Sequence, residues 1–184
     1  VAAPVTLSDA KTHLNITAST YDTELQSFID RAAAAAERRL GHPMVVASVV
    51  ETHDGGAPAL RLRRVPEHPG VVAITTVTED GAAVSSGGYV LNAAAGLLYR
   101  GTSSSPDTWA SGTQNVVVTY TSGYATVPDD MKLATLELVR HLWTTQRGGM
   151  DGRNAFAGDD YPAGSGWTFP RRVVEVLDSY RRTM

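Results

Sequence analysis

Five histidines, His13, His42, His53, His68 and His141, are the side chains of this 184-residue sequence best suited to proton transfer or metal ligation near neutral pH. No two stand at HxxxH or a related metal spacing, and each falls in a different segment. There is no cysteine, which removes thiolate catalysis, disulfides and cysteine zinc sites together. The acidic pairs Asp129/Asp130 and Asp159/Asp160 could hold a cation or work as acid and base. The first reads instead as the start of a helix, and the second as solvated charge in a glycine-rich loop. No G-x-S-x-G elbow, Walker loop or G-x-G-x-x-G fingerprint is present, and "GSG" at 164–166 is too short and too far from any strand to bind phosphate. These absences lead us to expect no catalytic site, no cofactor and no metal.

Two further patterns suggest binding. "RLRR" at 61–64 could meet phosphate, although "ALRLRRV" alternates as a strand with a basic outer face, and a solvated face explains it as well. Tyr99, Trp109 and Tyr124, read as exposed aromatics of a β module, could form a platform for a glycan or a single strand. The formal charge of −3 and a pI near 5.9 argue against a surface dedicated to nucleic acid. No run reaches the roughly 18 apolar residues of a membrane helix, and "VAAPVTLSDA" has neither a basic n-region nor an apolar core. The chain therefore reads as soluble and unsecreted, with an initiator methionine or tag removed or left unnumbered before Val1.

The elements that would carry such residues are legible from their periodicity. "TLSDAKTHL" opens with a capping box, Thr6 as N-cap with Asp9 reaching back, and "NITAST" ends that short helix. A second helix starts near Tyr21 and places Leu25, Phe28, Ile29, Ala32, Ala36 and Leu40 at three- and four-residue steps, with Gly41 as its stop. Ala32, Ala33, Ala35 and Ala36 keep that helix thin, open to a helix of its own core or to a neighbouring subunit. From Met44 to Tyr120 about five β-rich runs alternate with Gly, Pro, Asp and Ser, which suits a meander or small sandwich; "NAAAGLLY" could instead form a helical turn. "VPDDMKLATLELVRHLW" is a third helix, with Pro128 in its first turn and an apolar surface spanning about 200° of arc, so it should be covered on most sides.

Residues 148–168 carry six glycines in 21 residues and read as a linker or arm. The last helix, "FPRRVVEVLDSYRRTM", needs a partner for Val173, Val174, Leu177 and Tyr180, either its own body or another protein. The fold expected is α+β: a helical core of about four helices with a β-rich insertion between the second and third. Residues 1–43 and 128–184 form one core, and 44–127 form the insert. The helix near Asp22–Leu40 should pack on the helix from Asp129 to Thr145, burying Leu25, Phe28, Ile29, Leu138 and Leu142.

The order "VTLSDAKTHLNI", "DTELQSFIDRAAAAAERRLG", "W" followed by "NVVVTYTSGY", "VPDDMKLATLELVRHLW" and "VVEVLDSYRR" resembles the head-tail connector family of tailed bacteriophages, also called head completion or adaptor proteins. The resemblance covers the first 43 residues and residues 109–184 well, and the β stretch more loosely. It implies a structural protein at the head-tail interface of a virion, assembled in the host cytoplasm. About a dozen copies would form a ring beneath the portal, which DNA crosses without sequence-specific binding. It also implies three kinds of partner: the portal protein, other copies of the chain, and the next tail-completion protein. Membranes have no part in this picture. Portal docking would fall to Arg171, Arg172, Val173, Leu177, Tyr180, Arg181 and Arg182, and deleting 169–184 would leave subunit melting nearly unchanged. The alanine face would serve subunit contact. The long β insert and the linker depart from the smaller, purely helical members. The alternative from a different class is a β-module glycan binder, resting on Trp109.

Overall fold

The structure is a computed structural model that describes residues 2–66, 70–147 and 169–181. The chain divides into a helical unit, Val1–Leu40 with Val127–Tyr180, and a β unit that spans Gly41–Thr126.

In the helical unit, α1 (Leu7–Leu14) begins with the expected capping box. The Thr6 hydroxyl accepts from the Asp9 amide at 3.2 Å, and the Thr6 amide donates to the Asp9 carboxylate at 2.8 Å. The amide of Thr6, then its hydroxyl, hold the Asp9 carboxyl below its ordinary pKa. Asn15, at φ 56, turns the chain out of α1 in the left-handed conformation that asparagine tolerates. The helix α2 (Asp22–Leu40) buries Leu25, Phe28, Ile29, Ala32, Ala33, Ala36 and Leu40. It packs on α3 (Asp129–Arg147), whose Met131, Ala134, Leu138, Val139 and Leu142 are buried.

Trp143 closes one end of that seam, edge-on to Tyr21 at 5.5 Å and to Phe28 at 6.1 Å between ring centroids. Most of the apolar surface of α3 is covered, because α1, α2 and α4 (Arg171–Ser179) all pack against it, while Leu133 stays exposed. Thr135, buried among these apolar groups, donates its hydroxyl to the Met131 carbonyl at 2.9 Å, which satisfies that hydroxyl within its own helix.

The β unit holds seven strands among the described residues, two more than the sequence suggests. They are β1 (Ala47–His53), β2 (Ala59–Arg61), β3 (Val71–Glu79), β4 (Ala82–Ala83), β5 (Tyr89–Asn92), β6 (Leu97–Arg100) and β7 (Val116–Gly123). One sheet has the order β1-β7-β3-β4 and the other β2-β6-β5, with antiparallel pairing throughout.

The excess over five has two local causes. Asp80 and Gly81 both take positive φ, the requirement of a tight hairpin turn, and fold the two alanines of β4 back onto β3. "GYVLNAAAGLLYR" breaks in the middle because the Asn92 side chain accepts from the Ala95 amide and Gly96 takes φ 62, making a hairpin of β5 and β6. The alanines there form a turn between strands, not a helical turn. Val49, Leu60, Leu62, Val65, Val77, Leu98, Trp109, Val116, Val118 and Tyr120 form one core fed by both sheets, which makes the unit a small sandwich.

Candidate functional site

The "RLRR" segment is only briefly a strand. After Arg61 the chain leaves β2, and Leu62 and Val65 turn into the core while Arg61, Arg63 and Arg64 stay exposed. The turn is held from below by Glu51 on β1. Its carboxylate accepts from the amides of Arg63 at 3.0 Å and Arg64 at 3.0 Å, and from the Tyr120 hydroxyl of neighbouring β7. His53 Nε2 lies 3.2 Å from the same carboxylate.

Burial pushes the Glu51 carboxyl upward, but the adjacent His53 ring and the hydrogen bonds from Tyr120 and the two amides outweigh it and hold the group at about 2. Burial and the adjacent carboxylate both push the Tyr120 hydroxyl up, so it remains a donor. The Ser122 hydroxyl completes the clamp by donating to the Arg64 carbonyl. This cluster was missed in the sequence. Its signal is "VVETH", where the period of a strand puts Glu51 on the inward face with Val49 and His53.

A second polar joint lies where β3 and β6 end. Arg100 donates to Glu79 at 3.1 and 3.3 Å and to the Gly88 carbonyl at 2.7 Å, and its guanidinium sits 5.5 Å from the centroid of Trp109. Glu79 also accepts from the Ala110 amide at 2.7 Å. The depression beside them, about 330 Å³, is lined by Glu79, Val84, Gly88 and Arg100, whose charged groups already satisfy each other. An open groove of about 600 Å³ in the helical unit runs past Leu7, Lys11, Ile16 and Asp22; there Lys11 is paired with Asp22 at 2.7 Å.

Several expectations meet the structure differently. Trp109 is 1% exposed and Tyr124 3%, so the aromatic platform does not exist: Trp109 is core under Arg100, and Tyr124 packs edge-on to His42. Tyr99 alone of the three faces solvent. Ala32, Ala33 and Ala36 are fully buried inside their own unit, because the thin face admits the packed helices; Ala35 is half-buried.

On α4, Val173 and Leu177 are buried against the unit itself, while Arg171, Arg172 and Arg181 are exposed. Asp178 pairs with Arg39 at 2.6 Å, Arg39 lies over the Phe169 ring, and the Tyr180 hydroxyl reaches Asp130. Arg182, His68, the acidic pair Asp159/Asp160, "GSG" and the linker 148–168 lie outside the described residues. Among the described residues no group of three His, Asp or Glu could hold a metal ion, and no helix is long and apolar enough to cross a membrane.

Comparison with known proteins gives one family and one fold. A family model described as "Head completion protein" matches residues 4–183. None of the curated proteins matches the chain. Among solved structures, a chain of the virion of a native gene transfer agent particle superposes with a TM-score of 0.64 at 16% identity, over 100% of this chain and 94% of that one. A chain from the neck of the empty particle, computed with C6 symmetry, gives 0.63 at 15% identity, over 98% and 91%. One from the neck of the native particle, computed with C12 symmetry, gives 0.62 at 15%, over 97% and 88%.

Proposed function

Because the chain belongs to the head completion protein family, we infer that it is a structural virion protein, an adaptor that sits at the head-tail interface and links the DNA-filled head to the tail. The family match carries this reading, since it runs from residue 4 to residue 183 and so takes in both units. The fold shared with neck chains of particles treated with sixfold and twelvefold symmetry supports a ring of about twelve copies. Its partners in this reading are other copies, the portal protein above and a tail-completion protein below, and DNA crosses the lumen without sequence-specific contacts. The role is non-enzymatic in this reading: the half-buried carboxylates Glu51 and Glu79 are spent on holding backbone and on pairing with their neighbours.

Portal contact is assigned to the surface that α4 leaves open. Arg171 and Arg172 at its start and Arg181 after its end are exposed cations suited to an acidic rim, and Tyr180 lies beside them. Val173 and Leu177 support this surface from beneath instead of touching the partner. Of the alanines proposed for subunit contact, Ala35 keeps some open surface. Adding the purified chain to portal-bearing heads that lack it, then imaging the vertex, tests the reading. A ring beneath the portal is expected, and a bare vertex at saturating protein would refute it. The glycan-binding alternative loses its basis with the burial of Trp109.

A further inference from the structure

The β unit carries exposed charge of both signs in separate patches. In β7, Val116 is opposite His53 and Glu79, so the residues that follow these two, Asp54 and Asp80, leave the sheet at the same end. Both are exposed; Asp54 accepts from the Gln114 amide at 2.6 Å and Asp80 from the Asn115 side chain at 3.1 Å, and neither meets a cation among the described residues. At the other end Ser122 is opposite Ala47, and its hydroxyl holds Arg64. From Val116 to Ser122 is six residues, roughly 20 Å at about 3.3 Å per residue.

Arg63 and Arg64 are held between Ser122 at that end and Glu51, which is opposite Val118 midway along the pair, so their charges form a patch separate from the two aspartates. Neither these arginines nor Arg61 enter an ion pair among the described residues. The turn that presents them is not loose: Glu51 holds two of its amides, Ser122 its carbonyl, and Leu62 and Val65 are anchored in the core. A fixed backbone lowers the ordering cost of binding through these side chains.

We propose that this arginine turn is a subunit-subunit contact whose partner is a second copy of this chain, engaged through the Asp54/Asp80 end of its β unit. The inference rests on the ring reading above and deepens it. Separate patches of opposite charge on one surface allow a head-to-tail contact, the kind the ring reading requires, and a head-to-tail contact that closes makes a ring. It would also raise the rate of encounter and oppose any orientation that brings like patches together. The contact should weaken with salt, being exposed at its rim.

Two full-length variants test it on portal-bearing heads that lack the protein. Arg61→Glu/Arg63→Glu/Arg64→Glu makes both ends acidic, and Asp54→Arg/Asp80→Arg makes both basic. Each alone should give about tenfold fewer rings than wild type or worse, while an equimolar mixture, in which the two alternate, should restore them. If wild type forms no ring, the ring reading falls and takes this inference with it. If wild type forms rings and either variant alone does so equally well, or the mixture fails to restore them, the ring reading stands and this inference is overturned. Thermal melts confirm folding first. Should a reversal unfold the chain, the neutral variants Arg63→Gln/Arg64→Gln and Asp54→Asn/Asp80→Asn replace it. Ring yield that keeps the wild-type dependence on sodium chloride in those variants overturns the inference, and a flattened dependence supports it.

Discussion

The Tyr180 hydroxyl donates to the Asp130 carboxylate at 2.7 and 2.9 Å, which ties the end of α4 to the first turn of α3, 50 residues earlier in the chain. With Leu177 and Val173 buried beneath it, α4 is part of the helical core and not an arm awaiting a partner. This reverses the expectation that removing 169–184 would leave the subunit's melting unchanged. Leu177→Ala should cost about 2–5 kcal/mol, the range for emptying a buried leucine site. Tyr180→Phe, at a solvated site, should cost about 0.5–1.5 kcal/mol. Denaturant melts of both variants, and of the truncated chain, check this; a truncation that melts with wild type would show α4 to be dispensable.

Leu138 stands at the α2–α3 seam and is 3% exposed. Leu138→Ala should also lose about 2–5 kcal/mol, whereas Leu133→Ala, at a position 40% exposed on the same helix, should change stability by less than about 1 kcal/mol. Equal losses at the two positions would contradict the helix pairing.

The seam was readable because helix signals are local. Thr6 and Asp9 lie three residues apart, Gly41 follows the last apolar residue of α2, and Leu25, Phe28 and Ile29 share one face by spacing alone. The β unit was less legible because its decisive contacts join residues far apart in sequence. Trp109 sits in a serine-rich loop that looks exposed until Arg100 and Glu79, from two strands, close over it. "RLRR" alternates like a strand, yet Glu51, 12 and 13 positions upstream, captures its amides and turns it outward. The arginine turn was therefore visible as charge but not as a presented surface. Val173 and Leu177, given to the portal on the resemblance, are buried in the unit itself, since an amphipathic helix shows that it needs cover without showing whose.

Glu51 sets a pH dependence. Its carboxyl lies near 2 in the folded chain against an ordinary 4.5. The folded state therefore prefers the ionised form, and the resulting stability is fully present above about pH 5 and is lost as pH falls from there toward 2. The shift corresponds to about 3 kcal/mol. Glu51→Gln removes the titration and leaves an amide where the Arg63 and Arg64 amides need an acceptor. The variant should be less stable than wild type at pH 7, with a gap that narrows steadily between pH 5 and pH 3. A gap of constant size across that window would mean that the carboxylate is not the group being titrated.

Gly123 ends β7 with φ 133, a conformation that side chains with a Cβ rarely adopt. The strain would come with a collision. A Cβ built there would stand 2.6 Å from the Val45 carbonyl oxygen and 2.7 Å from the Val46 nitrogen, both backbone atoms that cannot swing away as a side chain could. The approach is close because Val45 bridges to Tyr124, and the Tyr124 amide donates to the Met44 carbonyl at 3.0 Å, pulling the two segments together just beyond the glycine. Gly123→Ala must therefore distort φ or break that bridge, and should cost about 1–3 kcal/mol, the range for a residue forced into a sparsely populated backbone region. Gly87 supplies the control: it is exposed, has no such φ, and a Cβ there would meet nothing within 4 Å. Gly87→Ala should be neutral or slightly stabilising, since alanine narrows the unfolded ensemble. Paired denaturation curves decide the matter, and two alanine variants of equal stability would remove the argument that backbone approach, and not flexibility, fixes glycine at the end of β7.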